Sequence, residues 1–356
     1  MDKLSKEFLY NYLNNISPTG HEYSGQKIWL DYIKKYIDDY IVDNYGTVVG
    51  VVNPDAKYKV VIEAHADEIS WFINYISKEG YLYVIRNGGS DYQIAPSKKA
   101  LIHTDKGMVP AVFGWPAIHV RDQKSDPKMN EETIVLDCGC DSEEEVRKLG
   151  IHVGNVVTFD DDLMELNKKY LVGRALDNRI GGFMIAEVAR RLSEKKIKLP
   201  FGLYVTNAVQ EEIGLKGAEM IAENIKPDLA LITDVTHDTH SPHYNKIKEG
   251  DIKAGKGPVL TYAPAVHNNV LKNLVGVAEK SKIPFQRAAS SRITGTDTDA
   301  FAYSGSGVPS ALISLPLKYM HTTVEMAHVK DIENIIKLFI AFLSQLKAGA
   351  DYRYLK

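Results

Sequence analysis

The sequence predicts an α/β fold: a doubly wound, mostly parallel sheet with a small β-barrel inserted into it. Three observations predict it. Apolar strand-like runs alternate with helix-period segments over residues 1–68 and again over 164–356, the rhythm of parallel strands joined by crossover helices. Residues 69–163 instead carry short strands, close turns and no long helix, the texture of a small barrel or sandwich. Acids and imidazoles recur where the expected core strands end, and in open α/β sheets those carboxyl ends form the ligand crevice.

The elements follow in order. Helical periodicity spans residues 4–15, through Leu4, Phe8, Leu9, Tyr12 and Leu13, and 22–38, through Ile28, Leu30, Ile33 and Ile37; Ser17-Pro18-Thr19-Gly20 separates them. Val42 to Val52 reads as strand, turn and strand around Tyr45-Gly46, and Lys59 to Ala64 as a buried strand ending at His65. In the insert, strands are expected at 71–76, 81–85, 100–103, 108–115, 133–136 and 156–159. Trp71, Phe72 and Tyr75 read as core. Ser142 with Glu145 forms a capping box that opens a short helix closed by Gly150. Beyond residue 164, helices at 179–194, 215–225, 267–281 and 330–346 alternate with strands at 199–209, 228–235, 258–262 and 308–315.

Composition narrows the function class. The chain has 356 residues, a net charge of −3, 44% hydrophobic and 25% charged residues, ordinary for a globular protein. Near-neutral charge gives no electrostatic case for nucleic acid or a membrane surface. No apolar run reaches the roughly 20 residues that span a bilayer, and Met1 to Lys6 lack the apolar core of a signal peptide. Cys138 and Cys140, one residue apart, read as reduced packing residues of a cytoplasmic protein.

The chemistry concentrates at five strand ends. They carry His65 with Asp67, Asp177, Glu211-Glu212, Asp234 and His321. Two adjacent carboxylates at the end of the apolar run Phe201 to Val209 need pairing, hydrogen bonds or a metal. Singly, each residue has a plain alternative: His65 and His321 as structural histidines, Asp177 and Asp234 as helix caps or turn residues, the glutamates as the start of a solvated loop. Jointly, two histidines and several acids match the ligand set of a divalent ion such as zinc or cobalt. In His65-x-Asp67, the aspartate is spaced to hold the second nitrogen of a metal-bound imidazole.

These residues carry a resemblance. His65-Ala66-Asp67-Glu68-Ile69, Gly173 to Arg179, Gln210 to Ala218, Thr233-Asp234-Val235-Thr236, Gly295-Thr296-Asp297 and Tyr319 to Glu325 look like the motifs of the metallopeptidase family of glutamyl, deblocking and tetrahedral aminopeptidases. As an ordered set they cover essentially the whole chain. The resemblance implies a zinc-exopeptidase-like catalytic domain over 1–68 and 164–356, and a barrel-like dimerisation domain over 69–163. It implies two divalent ions per subunit, zinc, with cobalt or manganese as alternatives. Asp177 would bridge them; Glu212 and His321 would complete one metal's ligands, His65 and Asp234 the other's. Asp67 would orient His65, and Glu211 would act as general base. The implied substrates are short peptides, hydrolysed at their N-terminal residues. The implied assembly is a homo-oligomer, a dodecamer built from dimers.

Two departures stand out. Thr236 to Asn245 holds His237, His240 and His243 where the family usually has a glycine-containing loop. It reads as a polar solvent loop, with a rim to the substrate pocket as the alternative. Thr296-Asp297-Thr298-Asp299-Ala300 leaves the family's small-residue run after its second residue. Two other function classes compete. A glycosidase, suggested by endoglucanase labels on some relatives, needs two carboxylates flanking a sugar bond and leaves His65, Asp177, Asp234 and His321 unexplained. A non-catalytic assembly protein would be expected to lack part of the ligand set.

Overall fold

A computed structural model describes residues 1–121 and 128–355. In chain order it begins with α1 (Lys3–Asn14), α2 (Tyr23–Ile33), β1 (Asp39–Val42), β2 (Val48–Val52) and β3 (Lys59–His65). There follow β4 (Ser70–Ile76), β5 (Leu82–Asn87), β6 (Lys99–Thr104), β7 (Gly107–Gly114), β8 (Val135–Asp137), α3 (Glu143–Lys148) and β9 (Val156–Phe159). Then come β10 (Met164–Leu166), β11 (Tyr170–Gly173), α4 (Leu176–Glu194), β12 (Gly202–Ala208), α5 (Lys216–Ile225), β13 (Leu229–His237) and α6 (Lys246–Glu249). The chain ends with β14 (Val259–Tyr262), α7 (Asn268–Lys280), β15 (Gln286–Ala289), α8 (Asp297–Ala302), β16 (Ser310–Lys318), β17 (Glu325–His328) and α9 (Val329–Gln345).

The expected doubly wound sheet forms the centre of the molecule. Strands β12, β3, β13 and β16 lie side by side and parallel. Their carboxyl ends therefore share one edge, which is what brings residues far apart in sequence together. The flanks are antiparallel: β1-β2 beyond β12, and β17-β11-β10 beyond β16. Strands β10, β11, β15 and β17 are not among those expected from the residue pattern. They are three or four residues long and lie at sheet margins, where neighbours rather than local pattern decide strand formation.

Alternation along β3 sends successive side chains to opposite faces. Ala64 faces α4, whose Gly181 sits so close that an added Cβ would come within 2.8 Å of the Ala64 methyl. That close approach lets α4 start beside the end of β3. Glu63 faces the other way, toward Asp297 at the start of α8. Leu176 opens α4, but Asp177 (φ −81°, ψ 111°) and Asn178 (φ −115°, ψ 30°) are not helical, so the regular helix runs from Arg179, where its periodicity starts.

Strands β4-β5-β8-β7-β6-β9 close into an antiparallel barrel. Trp71 fills its core against Tyr92, Phe113 and Phe159. The expectation that Tyr75 is core is corrected: it is exposed, and Phe72 is half-buried. A register shift between Ile73 and Tyr75 interrupts the alternation of β4. Ser142 caps α3 by accepting from Glu145 N–H, while the Glu145 carboxylate accepts from Asp141 N–H, one residue before the position a capping box predicts.

A buried ionic cluster ties the start of the chain to α4. Glu68 accepts from Ser17 N–H at 2.6 Å, pairs with Arg174 and lies 3.4 Å from Arg179. Arg179 is fully buried, donates to the carbonyls of Tyr12 and Asn15, and lies over the Tyr12 ring at 4.6 Å. Removing one partner strands a buried charge. Glu68→Ala should therefore lower unfolding free energy by about 3–5 kcal/mol, read from urea denaturation. A loss within experimental error would show that the carbonyls alone satisfy Arg179.

Candidate metal centre

The sheet's carboxyl edge assembles the candidate residues. His65 is the last residue of β3 and Asp234 lies on β13. Glu211 and Glu212 follow β12, Asp177 opens α4, and His321 lies between β16 and β17. His65 Nε2 is 3.2 Å from Asp177 Oδ1 and 3.9 Å from Asp234 Oδ1. His321 Nε2 is 3.2 Å from the other Asp177 oxygen and 3.5 Å from Glu212 Oε1. Glu211 Oε2 lies 3.8 Å from His65 Nε2. Two ligand-like triads result, His65–Asp177–Asp234 and Asp177–Glu212–His321, each with donor atoms within 4.8 Å of one another. A third grouping joins His65 to Glu211 and Glu212. Asp177 is common to both triads and offers one oxygen to each.

Asp67 organises this set without joining a triad. Its Oδ1 lies 3.3 Å from His65 Nδ1 and accepts from Glu211 N–H at 3.0 Å. Its Oδ2 accepts from Glu212 N–H at 3.2 Å and from the Thr19 hydroxyl at 2.9 Å. One buried carboxylate thus fixes both the imidazole and the backbone of the glutamate pair. Non-glycine residues at the site take left-handed backbone, among them Ala175 (φ 58°), Gln210 (φ 57°), Leu215 (φ 63°) and His321 (φ 59°). Such conformations are uncommon outside glycine and cluster at functional sites.

Electrostatics supply the test of whether metal fits. Burial pushes Glu211 up to about 10, with Asp234, Asp297 and Asp177 adding to it against the pull of His65. Burial and the Asp177 charge also drive Glu212 well above the carboxylate range. Asp234 rises to about 7, again through burial and then Asp177, with His65 opposing. Asp177 goes the other way: burial alone would raise it, but the His321 and His65 imidazoles hold it low. The cluster thus has more acid than its two imidazoles neutralise; among the described residues no lysine or arginine lines the larger cavity beside it, and Arg174, on a smaller cavity that touches the second triad, is paired with Glu68. Divalent ions bound here would supply the missing positive charge and displace protons from these ligands. Carboxylates and imidazoles in these two triads are donors suited to divalent zinc, cobalt or manganese.

Structure also reveals residues whose part was not assigned from sequence. Glu325 accepts from Asp177 N–H at 3.0 Å and His321 N–H at 2.8 Å, so one side chain holds the shared aspartate and the far histidine. Asn178 donates to Thr233 O at 2.8 Å, tying the start of α4 to β13. Gly89, in the barrel loop after β5, lies so close to His321 that a Cβ there would be 2.6 Å from Nδ1. The barrel therefore forms part of the wall beside the second triad. His237 is exposed and also lines the same cavity, the pocket-rim alternative for this stretch, whereas His240 pairs with Asp251 at 2.7 Å.

Glu63 adds a pH dependence. It lies two residues before His65 on the same face of β3 and is fully buried. Burial pushes it up to about 8, with Asp234 and Glu211 adding to this and Asp297 and His65 opposing. An acid raised in the folded state stabilises the fold fully below its ordinary value of 4.5, and the contribution is lost as pH rises through about 8. The melting temperature of metal-stripped protein should fall across that window, and Glu63→Gln should flatten the fall. An undiminished slope in the variant would assign it to other groups.

The model of the family described as M42 glutamyl aminopeptidase matches residues 46–338. A lysyl aminopeptidase of Pyrococcus furiosus is 32% identical over 96% of this chain and 97% of its own length. Among solved structures, a TET aminopeptidase from a marine sediment archaeon of the Thaumarchaeota superposes with TM-score 0.91 at 29% identity, covering 96% of each chain. The TET1 peptidase of Pyrococcus horikoshii, described as able to assemble into a tetrahedron or a large octahedral shell, superposes with TM-score 0.85 at 28% identity over 96% of this chain and all of that one.

Proposed function

The chain belongs to the M42 glutamyl aminopeptidase family, and from that premise we propose that it is a metal-dependent aminopeptidase removing N-terminal residues from short peptides. The observation that carries this reading is the pair of triads meeting at Asp177, with Glu211 beside them. His65, Asp177 and Asp234 would hold one divalent ion, and Asp177, Glu212 and His321 a second, zinc being the first choice and cobalt or manganese the alternatives. When bound, the ions supply Lewis acidity toward a water molecule and toward the scissile carbonyl.

The remaining steps belong to the chain's own side chains. Glu211 accepts the proton of the attacking water and returns it to the departing amine. With ions held by the triads, Glu211 would be kept in its ionised form against the upward push that burial and neighbouring acids impose. Asp67 keeps the His65 ring oriented and, through two backbone N–H groups, holds Glu211 and Glu212 at the same edge. Adjacent positions thus divide the work: one glutamate ligates while its neighbour carries the proton.

The division of the chain into a catalytic domain (1–68 and 164–356) and a dimerisation domain (69–163) belongs to the same proposal. Exposed Tyr75, Tyr81, Met108, Ile118 and Val120 on the barrel segment suit a subunit contact. The expected assembly is a dodecamer built from dimers, and light scattering giving only monomers would refute it. No helix among the described residues is long and apolar enough to cross a membrane.

The function is tested by turnover of aminoacyl anilides by metal-stripped protein with zinc, cobalt or manganese added back. Hydrolysis should vanish on stripping and return with at least one ion. Activity on a glucan that survives chelation, with no anilide turnover, would favour the glycosidase reading instead.

A further inference from the structure

The ligand cluster lines part of a cavity of about 710 Å³, and the rest of the lining has a charge pattern that the peptidase reaction does not use. Once His65, Asp177, Glu211, Glu212, Asp234 and His321 are set aside, two titratable side chains remain in the lining, Asp299 and His237. Ile293 and Met320 give it apolar wall.

Asp299 lies in the first turn of α8 and accepts from Thr294 N–H at 2.9 Å and from Gly295 N–H at 3.0 Å. Its second oxygen receives only the weaker Thr294 contact at 3.1 Å. Among the described residues no lysine or arginine forms an ion pair with it. Nearby cations are engaged or turned elsewhere. Lys216 pairs with Glu219 at 3.0 Å and Lys318 lies 3.9 Å from Asp238. Arg292 is exposed and outside the lining. Burial holds the His237 imidazole below its ordinary value, and Tyr244 braces it, with the hydroxyl 3.2 Å from Nδ1.

We propose that this part of the cavity receives the side chain of the substrate's N-terminal residue and selects a basic one, lysine or arginine, through Asp299. A long apolar stem lies along Ile293 and Met320, and the cationic head reaches the carboxylate, the division that basic side chains adopt at apolar surfaces. An acidic side chain would meet the like charge of Asp299, with no lysine or arginine in the lining to offset it, and a specific site rejects by repulsion as well as by missing contacts. Asp299 and Ile293 are thus specificity-determining residues, and the inference rests on the aminopeptidase reading.

The test compares kcat/KM of metal-loaded protein on Lys-, Arg-, Leu- and Glu-p-nitroanilide. Lys and Arg should exceed Leu and Glu by about tenfold or more. Asp299→Asn should reduce the Lys-to-Leu ratio by about 10–100-fold, the range of a lost charge-assisted hydrogen bond. Because Asp299 also anchors the 294–295 backbone, a second variant is placed on the exposed wall. Ile293→Lys should lower the Lys-to-Glu ratio without a folding burden. A preference for Leu or Glu in the unmodified protein, or ratios unchanged in both variants, would overturn the inference and leave the aminopeptidase reading standing. No turnover of any of the four would remove both.

Discussion

Glu211→Gln should reduce kcat/KM on an aminoacyl anilide by roughly 10²–10⁴-fold, the range general-base catalysis contributes, while metal content and melting temperature hold. The substitution keeps shape and leaves both triads intact. Asp67 still receives the two backbone N–H groups of residues 211 and 212, so the loop geometry survives. What is lost is the proton-accepting oxygen. Full activity in the variant would remove Glu211 from the mechanism. Loss of activity together with loss of metal would make it a ligand, as the grouping of His65, Glu211 and Glu212 allows.

Asp177→Ala should have the larger structural consequence, because a single side chain serves both triads. Its two oxygens lie 3.2 Å from His65 Nε2 and from His321 Nε2. Without them each triad keeps one histidine and one acid, too few to hold an ion firmly. Metal content should fall from two ions per chain toward zero and anilide turnover should become undetectable. His65→Ala and His321→Ala should each lose one ion and keep the other. If Asp177→Ala kept both ions, the shared-carboxylate arrangement would be wrong.

Much of this site could be read before the fold was known, for a physical reason. Parallel strands put their carboxyl ends on one edge, so acids and imidazoles that close separate strands must converge. His65, Glu211-Glu212 and Asp234 are legible on that ground alone. Asp177 and His321 are less so. Asp177 reaches the site through a left-handed Ala175 and the close seat of Gly181 on β3, neither of which periodicity encodes. His321 sits in a loop and is placed by Glu325 and by Gly89 of the barrel.

The same distinction explains what was misplaced. Tyr75 looked like core because aromatic residues in strands usually are, but the register shift in β4 turns it outward. The margin strands β10, β11 and β17 lack a pattern of their own and exist because β16 offers an edge to build on. His237 falls in a polar stretch, yet it is the last residue of β13, and β13 carries it to the cavity.

The central claim is that His65, Asp177, Glu212, Asp234 and His321 hold two divalent ions around a shared aspartate. Inductively coupled plasma mass spectrometry of the purified chain, reconstituted with zinc and freed of loosely bound ions, tests it most directly. Two ions per chain are predicted. One ion per chain, or none with peptidase activity retained, would contradict it.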